Sequence, residues 1–174
     1  MIGVEQGSTL LAFAGARVLS CSDGGPKAVA YRRSTDRGLS WSPIEWLLRD
    51  PSNSSTFDGL NLGAAVVDAS GAGVTLFVVN GSHTLSTAPS GVLCSIDAGG
   101  TWAAEVDWSP TTSFAQSGVN MFAGGPGAGV ALPSGRLVIP GWYNWCCGQQ
   151  ATSADTGSAL VLSDDGGATW RVGA

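Results

Sequence analysis

The sequence predicts an all-β chain of four-stranded antiparallel blades, and three observations predict it. One octad recurs three times, as "STDRGLSW" at 34–41, "SIDAGGTW" at 95–102 and "SDDGGATW" at 163–170. Between the octads a second, Gly-rich hairpin pattern recurs. Finally, 26 Gly and 8 Pro punctuate short Val/Leu/Ala runs, and no helical periodicity competes with this reading.

The elements follow in chain order. "GVEQGSTLLAFAGAR" reads as a hairpin whose first strand is cut short. Its "STLLAFAGA" resembles a signal-peptide core, but no basic residue precedes it, Glu5 does, and the run is short. It is therefore expected to be a strand. "KAVAYRR" leads into the first octad and "SPIEWLL" leaves it. The hairpin "AAVVDASGAGVTLFVVNG" comes next, then "SGVLC", the second octad and "AAEVDW". "GVALPSGRLVIPGWYNW" and "GSALVL" repeat the pattern before the third octad.

The octads begin 61 and 68 residues apart, and two hairpins per period make four strands. That unit is the blade of a β-propeller. Blade 1 is expected over about 1–50, blade 2 over about 57–110 and blade 3 over about 118–174.

The octad spacing has a chemical reason. Ser34, Ser95 and Ser163 open it; Asp36, Asp97 and Asp165 can fold back to accept backbone N–H groups of their own turn. Gly38, Gly99 and Gly167 supply positive φ. Trp41, Trp102 and Trp170 start the return strand, where a large ring can pin the hairpin against its neighbour. These carboxylates read as structural rather than catalytic.

At 174 residues the chain is long enough for one domain with a sizeable core. Charged residues are 12% and the net charge is −5, which argues against nucleic acid and anionic membranes as partners. No run of 18 apolar residues offers a transmembrane segment. Cys21, Cys94, Cys146 and Cys147 show no C-x-x-C spacing, and the lone His83 completes no zinc site with them. No metal or cofactor is implied, and the compartment stays undecided.

The octad S-x-D-x-G-x-[TS]-W resembles the Asp-box, or BNR, repeat of sialidases and several other propellers, where it lies on the rim away from the active site. Residues 7–41, "GSTLLAFAGARVLSCSDGGPKAVAYRRSTDRGLSW", look like the first blade of an exo-sialidase. "GGPGAGVALPSGRLVIPGWYNW" at 124–145 resembles its third-blade segment, and "FDGLNLGAAVVDASG" is a looser match to the second, with Leu62 where the family has Pro. The resemblance covers nearly the whole chain, but about three blades of an expected six.

What the resemblance implies is a sialidase-type glycoside hydrolase that removes terminal sialic acids with retention. Its substrates would be glycoproteins, gangliosides and oligosaccharides. By position, Arg17 matches an arginine lining the sialic acid pocket and Asp23 the acid/base carboxylate. A shielded Asp can protonate a leaving glycosidic oxygen, and an Arg fork suits an anionic sugar. Read alone, "ARVLSCSDGG" favours a surface loop with a turn-forming Asp before Gly-Gly, and only the flanking family pattern turns it toward a functional role.

Asn61 and Trp142 match pocket-facing positions, and Asn144 lies two residues on, on the same strand face. Trp142 could also be inter-blade packing. Arg32 and Arg33 are expected as rim salt-bridge partners.

The family also uses three arginines, a Tyr nucleophile and a Glu that activates it. Its "Y/F-R-I-P" motif is absent here. Glu5, Glu45 and Glu105 match none of these roles, nor do Tyr31 and Tyr143. The expectation is a fragment that does not hydrolyse sialosides efficiently by itself. The competing readings are an inactive Asp-box module that binds carbohydrate or protein, and an Asp-box hydrolase of neutral polysaccharide with two catalytic Asp.

Overall fold

The computed structural model describes residues 2–18, 21, 25–49, 60–80, 90–104, 106–107, 121–125, 127–144 and 156–173. These residues form strands and turns, with no helix among them. Asp23, His83, Glu105, Cys146 and Cys147 lie outside the described residues.

The first sheet has the order β1 (Ile2–Gln6), β2 (Thr9–Arg17), β3 (Lys27–Ser34), β4 (Glu45–Arg49), all antiparallel. The stretch that resembled a leader core is β2, as expected. The second sheet is β5 (Leu60–Val67), β6 (Val74–Asn80), β7 (Ser90–Ser95), β8 (Val106–Asp107). Asp68 closes the β5–β6 turn, its Oδ1 accepting from Ser70 Oγ and from the amides of Gly71 and Gly73.

The third sheet departs from the single inner strand expected. β9 (Met121–Gly124) and β10 (Val130–Ala131) both pair with β11 (Leu137–Asn144), which continues to β12 (Thr156–Ser163) and β13 (Arg171–Val172). The inner strand is broken where Gly125 and Gly127 take φ of 110° and 129°, backbone that L side chains rarely adopt. The looped-out piece reaches the second sheet. Ala128 bridges Ala65, and the Gly129 amide donates to the Ala65 carbonyl at 2.7 Å.

Alternation decides which sheet touches which. Leu11, Phe13, Val29 and Tyr31 project from the first sheet into one core with Leu76, Val78 and Leu93 of the second. Phe77 and Val92, on the opposite face of the second sheet, join Phe122, Leu137, Ile139 and Val161 of the third. The middle sheet is thus buried on both faces, which is why "VTLFVV" is a continuous apolar run.

Each octad links the third and fourth strands of its sheet, and the three turns have one internal design. Asp36 Oδ1 accepts from the Ser40 amide at 2.9 Å and Oδ2 from the Ser40 hydroxyl at 2.6 Å. Asp97 with Thr101 and Asp165 with Thr169 repeat both bonds. The box serine hydroxyl donates to the Asp and accepts the glycine amide, at 2.8 Å from Gly38, Gly99 and Gly167 alike. Two successive residues, not one, have positive φ: Arg37–Gly38, Ala98–Gly99 and Gly166–Gly167. These hydrogen bonds hold the three aspartates at a pKa of about 2.

The box tryptophans fasten sheet to sheet. Trp102 lies edge-on to Phe13 and Tyr31 of the first sheet, ring centroids 5.7 Å from each. Trp170 meets Phe77 of the second in the same way at 4.8 Å, and its Nε1 donates to the Gly167 carbonyl. Arg33 also ties sheet to sheet, its Nε donating to the Ala98 carbonyl at 2.9 Å rather than to a carboxylate.

Candidate functional site

The boxes occupy one end of the sheets; Arg17, Asn61, Trp142 and Asn144, singled out for chemistry, lie at the other. Arg17 ends β2 and is the register partner of Lys27, which starts β3. Paired residues of an antiparallel ladder share a face, so two cations sit side by side here. Asn61 stands near the start of β5 in the adjacent sheet, and the Lys27 Nζ donates to its Oδ1 at 2.9 Å. The two sheets approach closely at this end, since a Cβ on Gly15 would lie 3.7 Å from Leu62 Cβ.

Lys27 is only 6% exposed, whereas Arg17 is exposed and its Nη1 donates to the Cys21 carbonyl oxygen. That bond ties the end of β2 to Cys21, in the connection to β3. Asp23 belongs to this connection and lies outside the described residues. A buried ammonium needs compensation, and the amide oxygen of Asn61 supplies part of it. Because that oxygen accepts from Lys27, the amide nitrogen is turned the other way, as a donor.

Trp142 and Asn144 are close to the end of β11, at the same end of the third sheet. Trp142 is half-buried and packs with Ala123 and Val79. Val79 is the register partner of Asn61, so one set of neighbours runs from Arg17 through Lys27, Asn61 and Val79 to Trp142. Asn144 pairs with Thr156 and Met121 through the backbone. The inter-blade packing considered for Trp142 is real.

Lys27 was missed by reading the sequence, where it counted only as the first letter of a strand-like run. A lone lysine opening "KAVAYRR", in a chain with one lysine in all, was the available signal.

Neither tyrosine joins this set of neighbours. Tyr31 is 3% exposed at the rim between the first two boxes, its hydroxyl 3.2 Å from both Glu45 Oε2 and the Gly99 carbonyl oxygen. Burial, reinforced by Glu45, raises its pKa above the ordinary phenol value. Tyr143 packs against the core shared by the second and third sheets. Among the described residues no group of three or more His, Cys, Asp or Glu could hold a metal ion. Cys21 is exposed and Cys94 half-buried, both as free thiols.

The chain matches the model of the BNR repeat-like domain over residues 8–174. It belongs to that family. Within curated proteins it is similar to human Sialidase-4, with 30% identity over 191 aligned positions covering 99% of this chain and 38% of that protein. It therefore spans well under half the length of that relative.

In fold it is similar to the Hadza microbial sialidase Hz136, with a TM-score of 0.76 and 20% identity over 95% of this chain and 34% of the other. It is also similar to Trypanosoma rangeli sialidase in complex with sialic acid, with a TM-score of 0.73 and 19% identity over 98% and 29%. With these neighbours, the three sheets of this BNR-repeat chain are blades of a partial β-propeller.

Proposed function

We propose that the strand ends carrying Arg17, Lys27 and Asn61 form one wall of a sialic acid site, in a protein that removes terminal sialic acids with retention. The observation that carries this reading is the pairing of Arg17 with Lys27 and of Lys27 with Asn61 across two sheets. Two cations and an oriented amide at one strand end suit a sugar bearing a carboxylate and an acylated amine. The similarity to human Sialidase-4 and to a sialidase solved with sialic acid supports it. The substrates would be sialylated glycoproteins, gangliosides and oligosaccharides, and no cofactor enters the chemistry.

In this reading Arg17 holds oxygen atoms of the sugar near the reacting carbon. Asp23, assigned by resemblance, protonates the leaving glycosidic oxygen and later deprotonates water. The Asn61 amide nitrogen donates to the ligand, Trp142 offers a ring face to the sugar or its side chain, and Asn144 lines the same edge. Attack on the sugar falls to a tyrosine supplied from outside this chain, because Tyr31 and Tyr143 are both engaged in packing.

That last observation favours a second reading for the chain as it stands. Alone it binds sialylated glycans without hydrolysing them. Isothermal titration with free sialic acid and a turnover assay on an aryl sialoside test both readings. Saturable binding lost in Arg17→Ala and Asn61→Ala, with no turnover, is expected. A folded chain that binds no sialic acid would sink the site. Turnover abolished by Asp23→Ala would sink the binding-only reading.

A further inference from the structure

The two junctions inside the chain are built on one plan and lined differently. Aligned on the box serines, Tyr31, Arg33 and Thr35 of the first sheet correspond to Val92, Cys94 and Ile96 of the second. Glu45, the register partner of Tyr31, corresponds to Val106, the register partner of Val92. Four polar positions beside the first box are thus four apolar ones beside the second. The turn itself does not require the difference, since both boxes close with the same serine, aspartate and glycine bonds.

The four polar residues line one cleft of about 400 Å³, together with Gly99 and Gly100 of the second box. The cleft lies between two adjacent sheets of this chain, and its volume is in the range of small-molecule sites.

Part of its polarity holds the sheets together. Arg33 Nε donates to the Ala98 carbonyl at 2.9 Å, and the Tyr31 hydroxyl lies 3.2 Å from both the Gly99 carbonyl oxygen and Glu45 Oε2. The remainder is not used by the fold. The terminal nitrogens of half-buried Arg33, Oε1 of Glu45 and the Thr35 hydroxyl make no hydrogen bond among the described residues. No ion pair joins Arg33 to Glu45, although both line the cleft. The Tyr31 hydroxyl has one proton for two acceptors, so one of the two is left for another donor.

This set is a fork of donors, a carboxylate acceptor and two hydroxyls, with the two charges cancelling. A neutral sugar ring matches it, because each sugar hydroxyl both donates and accepts. Neighbouring hydroxyls can donate to Glu45 and accept from Arg33 at once. An anionic sugar would meet the Glu45 carboxylate.

We propose that this cleft between the first two boxes binds a neutral pyranose, at the end of the sheets opposite Arg17 and Asn61. Its occupancy does not depend on the sialic acid site.

Titration calorimetry of the chain with lactose, a neutral disaccharide, tests this, with circular dichroism confirming sheet in every variant. Weak, saturable binding is expected. Glu45→Val writes the residue of the second junction into the first, and Arg33→Met removes the donor fork. Each should lower lactose affinity at least ~10-fold, as loss of a hydrogen bond to a charged group implies. Glu45→Gln, which keeps an acceptor, should recover part of the loss. Arg17→Ala should leave lactose binding unchanged, so failure of the sialic acid site and failure of the cleft are read separately. A folded chain that binds no lactose would overturn the proposal, as would lactose binding untouched by Glu45→Val and Arg33→Met. Lactose binding lost in Arg17→Ala would also overturn it, placing the sugar at the sialic acid wall. Binding of glycine in place of lactose would assign the cleft to a zwitterion instead, and sink the sugar.

Discussion

The ammonium of Lys27 donates to the amide oxygen of Asn61 at 2.9 Å, joining the first sheet to the second where the boxes do not reach. Hydrogen bonds to charged groups contribute about 1.5–3 kcal/mol. In Lys27→Met the Asn61 amide loses its orientation, and sialic acid affinity is expected to fall at least ~10-fold, about 1.4 kcal/mol. Lys27→Arg, which keeps a donor, should recover part of the loss. Titration calorimetry on both variants decides it, and unchanged affinity in Lys27→Met would remove the lysine from the site.

The box aspartates predict an acid limit. Asp36, Asp97 and Asp165 are held at about 2, against an ordinary aspartate near 4. A depressed folded-state pKa contributes stability that is present above the unfolded value and lost as pH falls through the folded one. Denaturant midpoints should therefore carry the full contribution of these groups, unchanged with pH, between pH 7 and about 5, then decline from about pH 4 to 2. In Asp97→Asn the decline should be shallower. A variant with the same acid slope as the parent would contradict the assignment.

The two fastening tryptophans differ at the indole nitrogen. Trp170 Nε1 donates to the Gly167 carbonyl, whereas Trp102 Nε1 is buried with no hydrogen-bond partner among the described residues, and the equivalent Gly99 carbonyl accepts from the Tyr31 hydroxyl instead. Replacing either by Phe removes ring area, but only Trp170→Phe also removes a hydrogen bond. Trp170→Phe should therefore be less stable than Trp102→Phe by about 1 kcal/mol in urea unfolding. The reverse order would show that the nitrogen contacts do not govern the difference.

Ala98 adopts φ of 53°, where the third box has Gly166 at 72°. An L residue in that region costs about 1–2 kcal/mol, which glycine avoids. Ala98→Gly is expected to raise stability by about 1 kcal/mol, somewhat offset by the freer unfolded chain. A thermal midpoint that falls would mean the alanine methyl makes a compensating contact.

The sheets were legible because each box writes its own geometry. Ser34, Asp36 and Gly38 satisfy one another within eight residues, so a single sequence repeat reports a turn, the strand before it and the strand after it. Gly125 and Gly127 marked a break between β9 and β10, but nothing local reported what holds the looped-out piece, residues 128 and 129 bonding to Ala65 far away in sequence. The site was legible only in part for the same reason. Arg17 stood out beside a family pattern, but Lys27 gains its meaning from Asn61, 34 positions on, and from burial that no short window shows.

Both tryptophan fasteners point the same way along the chain. Trp102 grips the sheet made before it, and Trp170 does likewise. The second sheet therefore reaches back with Trp102 and is reached by Trp170 on Phe77. Such a sheet is held from both sides by separate rings, so loss of one tryptophan loosens one junction and leaves the other closed, as with links of a chain rather than turns of a single thread.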